Sequence, residues 1–480
     1  MPPTPDARCP ARLTPVRDGD APLGGVLYRA EDRVLVLADG PEGLEVARLL
    51  GPDREATLVA PGLDGGDAEA VRRIPGRVAG LKGWLGAFLA HVARDADSHP
   101  VAHPADVVID LQAAPAIAAA IPPLGYLRAR PEDAEAVAAQ ARALKGTFHK
   151  PKYFAYDASI CAHDVGGARA CSRCLDVCDA EAIRSEGGRI LVEPTLCQGC
   201  ATCALACPTG ALSVADPSRA ALLDRVAQAG AGPLRVGPGG DLALTSAAQL
   251  GEELWFAALA QGAAGVSLGL GPDAPPRQRA TLQARAAAAS IIAEAFGLGA
   301  AAVALDAEAT AAPRAGPPLA AAGKRALLQT ALSQLEPEGF EGVALPGGAT
   351  LGAIAVDAES CILCGVCAKV CPTGAVRYAE AERATLDFAE GLCIQCGACA
   401  RNCPKDAIAL VPGLSPASLR EDWREVNSGA MARCVETGAP FISQAMLDEI
   451  LRRAREGGFL TPAFEAQMRR APEARGKSGG

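Results

Sequence analysis

Sixteen of the 18 cysteines in this 480-residue chain fall into four tight groups, and no other feature restricts its fold as strongly. Cys197, Cys200, Cys203 and Cys207 follow the spacing C-x2-C-x2-C-x3-C and are succeeded by Pro208. Cys361, Cys364, Cys367 and Cys371 repeat it before Pro372, and Cys393, Cys396, Cys399 and Cys403 repeat it before Pro404. The fourth group is irregular: nine residues, AHDVGGARA, separate Cys161 from Cys171, after which Cys174 and Cys178 keep the usual gaps. Asp179 stands where the other groups have proline. The gap is polar and contains two glycines, so it can bulge as a loop and leave Cys161 near the rest of its group.

Two further patterns tie the irregular group to the others. The fourth and fifth residues after each last cysteine are Ala182–Ile183, Ala211–Leu212, Ala375–Val376 and Ala407–Ile408. A small residue lets a short helix approach the cysteine loop, and an aliphatic one starts a strand that covers it. The groups also form two pairs with similar openings, Asp157-Ala158-Ser159-Ile160-Cys161 and Asp357-Ala358-Glu359-Ser360-Cys361, which indicates one unit used twice.

Thiols this dense favour metal over disulfides in a chain that shows no apolar secretory segment near Met1, and the expected compartment is cytoplasmic. Zinc needs about four ligands, usually as two distant CxxC pairs, so these runs supply too many thiolates too close together. Three thiolates two residues apart let one loop wrap three corners of an iron–sulfur cube, with backbone N–H groups turned toward the sulfurs. The expectation is four [4Fe–4S] clusters. Cys9 and Cys434 stand apart and read as ordinary or surface thiols; Cys434 opens a knuckle-like CVETG in which a second cysteine has become Thr437.

These stretches resemble bacterial two-cluster ferredoxins over about 60 residues in each unit. The resemblance implies cross-ligation, with the last cysteine of each group serving the other cluster of its unit. Cys161, Cys171, Cys174 and Cys207 would hold one cluster, and Cys197, Cys200, Cys203 and Cys178 the next. Cys361, Cys364, Cys367 and Cys403 would hold the third, and Cys393, Cys396, Cys399 and Cys371 the fourth.

The flanking sequence reads as α/β. Runs at Arg33–Leu37, Ala56–Ala60 and Val107–Leu111 suit buried strands, with a helix over Glu45–Leu50, an alternation that suggests a parallel sheet. Ala38–Gly43 is a dinucleotide fingerprint that has lost its first glycine, and it reads as an ordinary strand–helix turn. His91, His99 and His103 are loosely spaced among prolines and read as surface or capping residues rather than a metal site. Between the units, Leu234–Val236 and Gly265–Leu270 suit strands and Leu250–Gln261 a helix. The most apolar window, Ala286–Leu305, carries Glu294 and reads as a helix and strand rather than a membrane span. The 217–352 segment faintly resembles the small delta subunit of hydrogenase-type electron-transfer complexes, whose thiol ligands it lacks, so it reads as a scaffold.

The expected fold class is therefore multidomain, with α/β segments combined with two α+β bacterial-ferredoxin-like modules. The expected limits are a disordered N-terminus at 1–24, an α/β domain at 25–150, a first module at 151–216, an α/β segment at 217–352, a second module at 353–412, and a helical region with a disordered tail at 413–480.

The formal charge is −9, which argues against nucleic acid, and four clusters of about −2 each would take it to roughly −17. Such a protein should dock to basic surfaces on redox partners. The order of parts, with HKPKYFAYDASICAH leading into the irregular group, resembles a proteobacterial group of large 4Fe–4S ferredoxin-type proteins that commonly accompany formate dehydrogenase. That resemblance implies a non-catalytic electron carrier working between a dehydrogenase, formate dehydrogenase being the suggested case, and an acceptor. Two alternatives remain open from sequence: an oxidoreductase subunit with a nucleotide- or flavin-binding N-terminal domain, and an assembly or docking factor with structural clusters.

Overall fold

A computed structural model describes residues 13–16, 25–68, 71–95, 98–312, 314 and 316–472. Cys9 and the tail from residue 473 onward lie outside these residues.

The N-terminal α/β unit contains β1 (Val26–Ala30), β2 (Arg33–Leu37), α1 (Gly43–Leu49), β3 (Glu55–Ala60), β4 (Val71–Pro75), β5 (Val107–Asp110), β6 (Tyr126–Arg128), α2 (Ala134–Ala143) and β7 (Gly146–Lys150). Its main sheet runs β6-β5-β2-β3-β4 in parallel, with Gly66–Ala68 antiparallel at the β4 edge. Side chains alternate between two cores because successive residues of a strand face opposite sides. Val34, Val36, Leu58 and Ile109 pack with residues of α1 and α2. Leu35, Leu37, Val59 and Val108 pack instead on an antiparallel meander of Arg77–Lys82, Phe88–Ala93 and Val101–Ala105. A meander thus covers the face where a doubly wound nucleotide-binding fold carries helices. Strand β7 returns to pair with β1 and also with Thr14–Pro15. That pairing corrects the reading of 1–24 as uniformly disordered: Thr14 and Pro15 are held by the backbone of Phe148 and His149, while residues 1–12 and 17–24 lie outside those described.

The first cysteine module contains β8 (Phe154–Tyr156), α3 (Arg173–Asp176), β9 (Ile183–Glu186), β10 (Arg189–Val192), α4 (Thr202–Ala206) and β11 (Leu212–Val214). Its first and last strands, β8 and β11, pair antiparallel, and β9–β10 forms a hairpin between them.

The intervening unit contains α5 (Arg219–Gln228), β12 (Leu234–Gly237), β13 (Leu242–Ala243), α6 (Glu252–Ala260), β14 (Val266–Leu268), α7 (Pro276–Ala295), β15 (Val303–Leu305) and α8 (Lys324–Leu335). The sheet is parallel in the order β13-β12-β14-β15. Helix α6 reads EELWFAALA and has no polar stripe beyond its first turn; Leu254 through Ala260 are all buried. A helix apolar all round belongs in a core. That core runs without a break from Leu205 on α4 of the first module to Leu351 and Leu414 at the edge of the second.

The second module repeats the plan with β16 (Gly352–Val356), α9 (Val366–Lys369), β17 (Val376–Glu380), β18 (Arg383–Ala389), α10 (Ala398–Arg401) and β19 (Ile408–Leu414). Strand β16 pairs with β19, and β17 with β18. The C-terminal region departs from the helical expectation. Trp423–Arg433 is an eleven-residue strand, β20, which pairs along β18 and then with β21 (Pro440–Ser443). The free edge of the β17–β18 hairpin needs a partner, and this segment supplies one. Arg377 lies 3.6 Å over the Trp423 ring across that sheet. Helices begin only afterwards, at α11 (Gln444–Glu456) and α12 (Pro462–Met468).

Candidate iron–sulfur centres

The three regular cysteine loops share one backbone. In each, the residues on both sides of the second cysteine adopt positive φ: Gly199 and Ala201, Leu363 and Gly365, Gln395 and Gly397. Left-handed residues turn consecutive N–H groups into one concavity, a shape that suits anions. A Cβ on Gly199 would stand 2.7 Å from the Tyr153 ring, and one on Gly365 2.6 Å from Tyr378, so an aromatic ring closes over each loop and leaves room only for glycine. A one-turn helix then carries the third cysteine: α4, α9 or α10, with α3 in the same place in the irregular group.

The residue three after each last cysteine is also left-handed: Glu181, Gly210, Gly374 and Asp406. The buried alanine follows and the aliphatic residue opens a strand, β9, β11, β17 or β19, as the sequence pattern implies. This turn aims main-chain N–H groups at sulfur. Ala182 N–H donates to Cys178 Sγ (3.3 Å), Ala407 N–H to Cys403 Sγ (3.3 Å) and Leu212 N–H to Cys207 Sγ (3.5 Å).

The last cysteine of each group in the second module sits with the other group. Cys361, Cys364 and Cys367 share one hollow with Cys403. Cys393, Cys396 and Cys399 share another with Cys371. In the first module, burial pushes the Cys174 thiol up to about 12, and Cys207, Cys171 and Cys161 lie close enough to add to that. Burial likewise pushes Cys178 up to about 11, with Cys200 and Cys197 as its thiol neighbours. Crowded thiols with raised pKa values ionise readily only beside a cation, so such a set suits a metal centre. Among the described residues, no three His, Cys, Asp or Glu side chains converge tightly enough to hold a single metal ion. A zinc ion with bonds of about 2.3 Å would require that convergence. Each hollow of the second module gathers three thiols of one group and one of the other, the four-thiolate donor set that a [4Fe–4S] cluster takes.

The irregular group reaches a similar arrangement by another route. Asp164–Val165 and Ala168–Arg169 form a small hairpin turned at Gly166–Gly167, which takes up the extra residues. His163 is buried beneath it, with Nδ1 at 2.7 Å from the Cys171 carbonyl and Nε2 at 2.7 Å from Ser185 Oγ. Cys161 lies beside Cys174 and hydrogen-bonds the Tyr156 hydroxyl, which burial and that bond push to about 12.

Asp179 is nearly fully buried, and its role was not legible as a missing proline. Its carboxylate accepts the N–H groups of Arg277 (3.2 Å) and Gln278 (3.0 Å) at the start of α7. Its carbonyl accepts the Ile121 N–H of the N-terminal unit (3.1 Å). One residue thus pins three units beside Cys178, its carboxylate holding α7 and its carbonyl the N-terminal unit, and a proline here would leave two helix donors without a partner.

Cations from several units donate to loop carbonyls. Lys150, fully buried, reaches Cys197 O (2.7 Å) and Thr195 O (3.1 Å). Arg277 reaches Cys178 O (2.7 Å), and Lys324 reaches Ala204 O and Leu205 O (2.7 and 2.8 Å). Arg325 reaches Cys393 O (2.8 Å); burial lowers its pKa to about 10, partly offset by Cys393, Glu252 and Glu390. Among the described residues, the Cys361–Cys371 loop receives the Ser443 hydroxyl at Ile362 O (2.7 Å) and no Lys or Arg hydrogen bond. Only Lys150 of these cations lay near enough to a cysteine motif to be noticed from sequence.

The other candidates resolve differently. At the Ala38–Gly43 turn, Glu42 accepts the Asp39 N–H and Asp39 accepts the Ala113 N–H, so two carboxylates line the place a phosphate would need. A Cβ on Gly43 would meet Leu58 at 2.5 Å, so that glycine serves helix–sheet packing. His91 and His103 lie on adjacent strands of the meander, and His99 is exposed. Cys434 is buried rather than on the surface; its knuckle closes with Gly438 N–H on Cys434 O (2.8 Å), and N–H groups of Ala471 and Glu436 and the Thr437 side chain lower its pKa to about 7. A cleft of about 740 Å³, open to solvent, lies at the carboxyl ends of β12 and β14, with Pro238, Thr245, Gly271 and Gln278 in its walls and Cys200 on one side.

Two stretches match known domain families. Residues 360–407 match the 4Fe-4S dicluster domain and residues 190–213 the 4Fe-4S binding domain. The irregular Cys161–Cys178 group lies outside both. A protein of Escherichia coli (strain K12) named "Putative electron transport protein YsaA" is 46% identical over 59 residues, 11% of this chain and 38% of that protein's length. A solved structure described as an oxidoreductase from Agrobacterium tumefaciens is 18% identical, covers 17% of this chain and 36% of that one, and superposes with a TM-score of 0.13, too slight a likeness to bear on fold or function.

Proposed function

We propose that this chain is an iron–sulfur electron-transfer protein that holds four [4Fe–4S] clusters and relays electrons between a dehydrogenase and an acceptor. The carrying observation is the grouping of thiols in the second module, where each of two hollows takes three cysteines of one group and one of its neighbour, with a like set of thiol neighbours around Cys174 and Cys178 in the first. Cys161, Cys171, Cys174 and Cys207 would hold one cluster; Cys178, Cys197, Cys200 and Cys203 the second; Cys361, Cys364, Cys367 and Cys403 the third; Cys371, Cys393, Cys396 and Cys399 the fourth.

The clusters when bound supply one-electron chemistry. The protein supplies the rest. Main-chain N–H groups of Ala182, Ala407 and Leu212 stabilise charge on sulfur, and cations such as Lys150 and Arg325 offset it from behind the loops. The cysteines serve as ligands, and no nucleophile–base pair is needed.

The dinucleotide-like turn gives no support to a nucleotide-binding oxidoreductase, because its carboxylates would repel a phosphate. The matched electron-transport protein and the cofactor-bearing resemblance favour redox partners, with formate dehydrogenase as the first to try. No described helix is long and apolar enough to cross a membrane. The reduced thiols suit the cytoplasm. An anaerobic pull-down tests the relay: the recovered dehydrogenase, given its substrate, should bleach the cluster absorbance, more slowly at high salt because the chain is acidic. A competent dehydrogenase partner that leaves every cluster oxidised would contradict it.

A further inference from the structure

The two modules meet at one seam, and two arginines cross it in opposite directions. Arg401, on α10 of the second module, donates to Cys396 O in its own loop (2.8 Å) and to Ala170 O in the first module (2.7 Å). Ala170 immediately precedes Cys171. Arg173 lies between Cys171 and Cys174 and reaches the other way, to Gln395 O (3.2 Å), Gly348 O (2.6 Å) and Ala349 O (3.1 Å). Gln395 lies between Cys393 and Cys396. Each guanidinium therefore ties a cysteine loop of one module to a cysteine loop of the other, within two hydrogen bonds and the width of one planar group.

The loops on either side of the seam belong to different proposed clusters, those of Cys161, Cys171, Cys174, Cys207 and of Cys371, Cys393, Cys396, Cys399. Behind them stands Arg325, which donates to Cys393 O and Thr350 O. The loops at the far ends are Cys197–Cys203, near the solvent-open cleft beside Cys200, and Cys361–Cys367, which no Lys or Arg hydrogen bond supports among the described residues. Two modules acting independently would have no use for guanidinium groups aimed across their boundary, with Arg173 half-buried in the seam and Arg401 at its exposed rim.

We propose that the two modules form one continuous wire of four clusters, with the inter-module step crossing this seam and Arg173 and Arg401 as its positioning residues. The proposal rests on the four-cluster relay reading. One electron crosses per step, so that one cluster is oxidised and its neighbour reduced, with no bond broken and no proton moved. The order runs from the cluster at Cys197–Cys203, through the two at the seam, to the one at Cys361–Cys367. Cations favour the more negative, reduced form, and they stand both at the seam and at the Cys197–Cys203 loop, so the cluster at Cys361–Cys367, whose loop receives no Lys or Arg hydrogen bond among the described residues, takes electrons last.

The test uses the anaerobic holoprotein with its iron counted, titrated with dithionite while electron paramagnetic resonance is recorded. One electron equivalent added to the unmodified protein should stay off the Cys361–Cys367 cluster, and full reduction should show magnetic broadening between modules. R173Q and R401Q should lower the midpoint potentials of the seam clusters, leave the outer two unshifted and narrow the spectrum, and R401K should recover the charge but only part of the coupling. Unshifted potentials and an unchanged spectrum in iron-replete R173Q and R401Q would overturn the seam. If those variants fail to hold iron, a fully reduced unmodified protein that shows no magnetic broadening between modules would overturn it. Either result with about 16 irons per chain leaves the relay reading intact, whereas a count of about 8 removes that reading itself.

Discussion

In the second module both groups close on a proline, both loops turn through left-handed residues, and the central hairpin is widened by β20 and β21 into a four-stranded sheet. The first module has the same closing pair of terminal strands, yet its hairpin stays two-stranded and its irregular group has Asp179 in place of proline. The support missing from its own sheet comes from other units. Lys150 of the N-terminal unit and Lys324, Arg277 and Gln278 of the intervening one hold its loop carbonyls. The first cysteine scaffold thus leans mainly on its neighbours, while the second adds a wider sheet of its own to the support of Arg325 and Arg173 at the Cys393–Cys399 loop. A repeated motif can keep its metal chemistry while exchanging the source of its rigidity.

The largest test of this comparison is Cys161→Ser. If the hairpin at 164–169 serves to bring Cys161 back to its group, the variant should lose about 4 of roughly 16 irons, as Cys364→Ser should in the regular module. Iron analysis of both variants decides it, and an unchanged count in C161S would show that the irregular group is not equivalent. A smaller effect is expected for Asp179→Pro, which restores the residue found after the other groups. Removing the cap of α7 should cost about 1–3 kcal/mol, read as a lower denaturant midpoint and earlier proteolysis between the first module and the intervening unit. A neutral or stabilising D179P would show that the first module does not lean on α7.

The smallest effect concerns Cys434, beyond the second module. Its thiol is held below the ordinary 9.0, near 7, so the folded state favours the thiolate. The sign follows: this contribution is complete above pH 9, shrinks as pH falls and is gone below about pH 7. Resistance of the C-terminal helices to proteolysis should rise modestly from pH 7 to 9 in the unmodified protein and stay flat in C434S. Parallel profiles would contradict it.

Much of the site is legible in the sequence because cluster loops are local. Spacing sets the loop, and Ala407–Ile408 and its three counterparts mark the turn and strand that follow. The short strands at Arg33–Leu37 and Val266–Leu268 are likewise visible as apolar runs. What escapes is non-local. Nothing near Asp179 announces a helix start 98 residues on, and Arg401 gives no hint that it will meet Ala170. Strand β20 is hidden for the same reason: WREVNSGAMAR has little local strand character and is fixed by the open edge of β18. The His91–His103 run is the reverse case, a local cluster whose residues the meander spreads over two strands and a loop.

The central claim is that sixteen thiols hold four cubes on two modules. Iron and acid-labile sulfide measured on anaerobically purified, full-length protein, together with spin quantitation after complete reduction, test it most directly. Four loaded cubes give about 16 iron, about 16 sulfide and about four spins per chain. About 8 iron and two spins, with the first module empty, would contradict it.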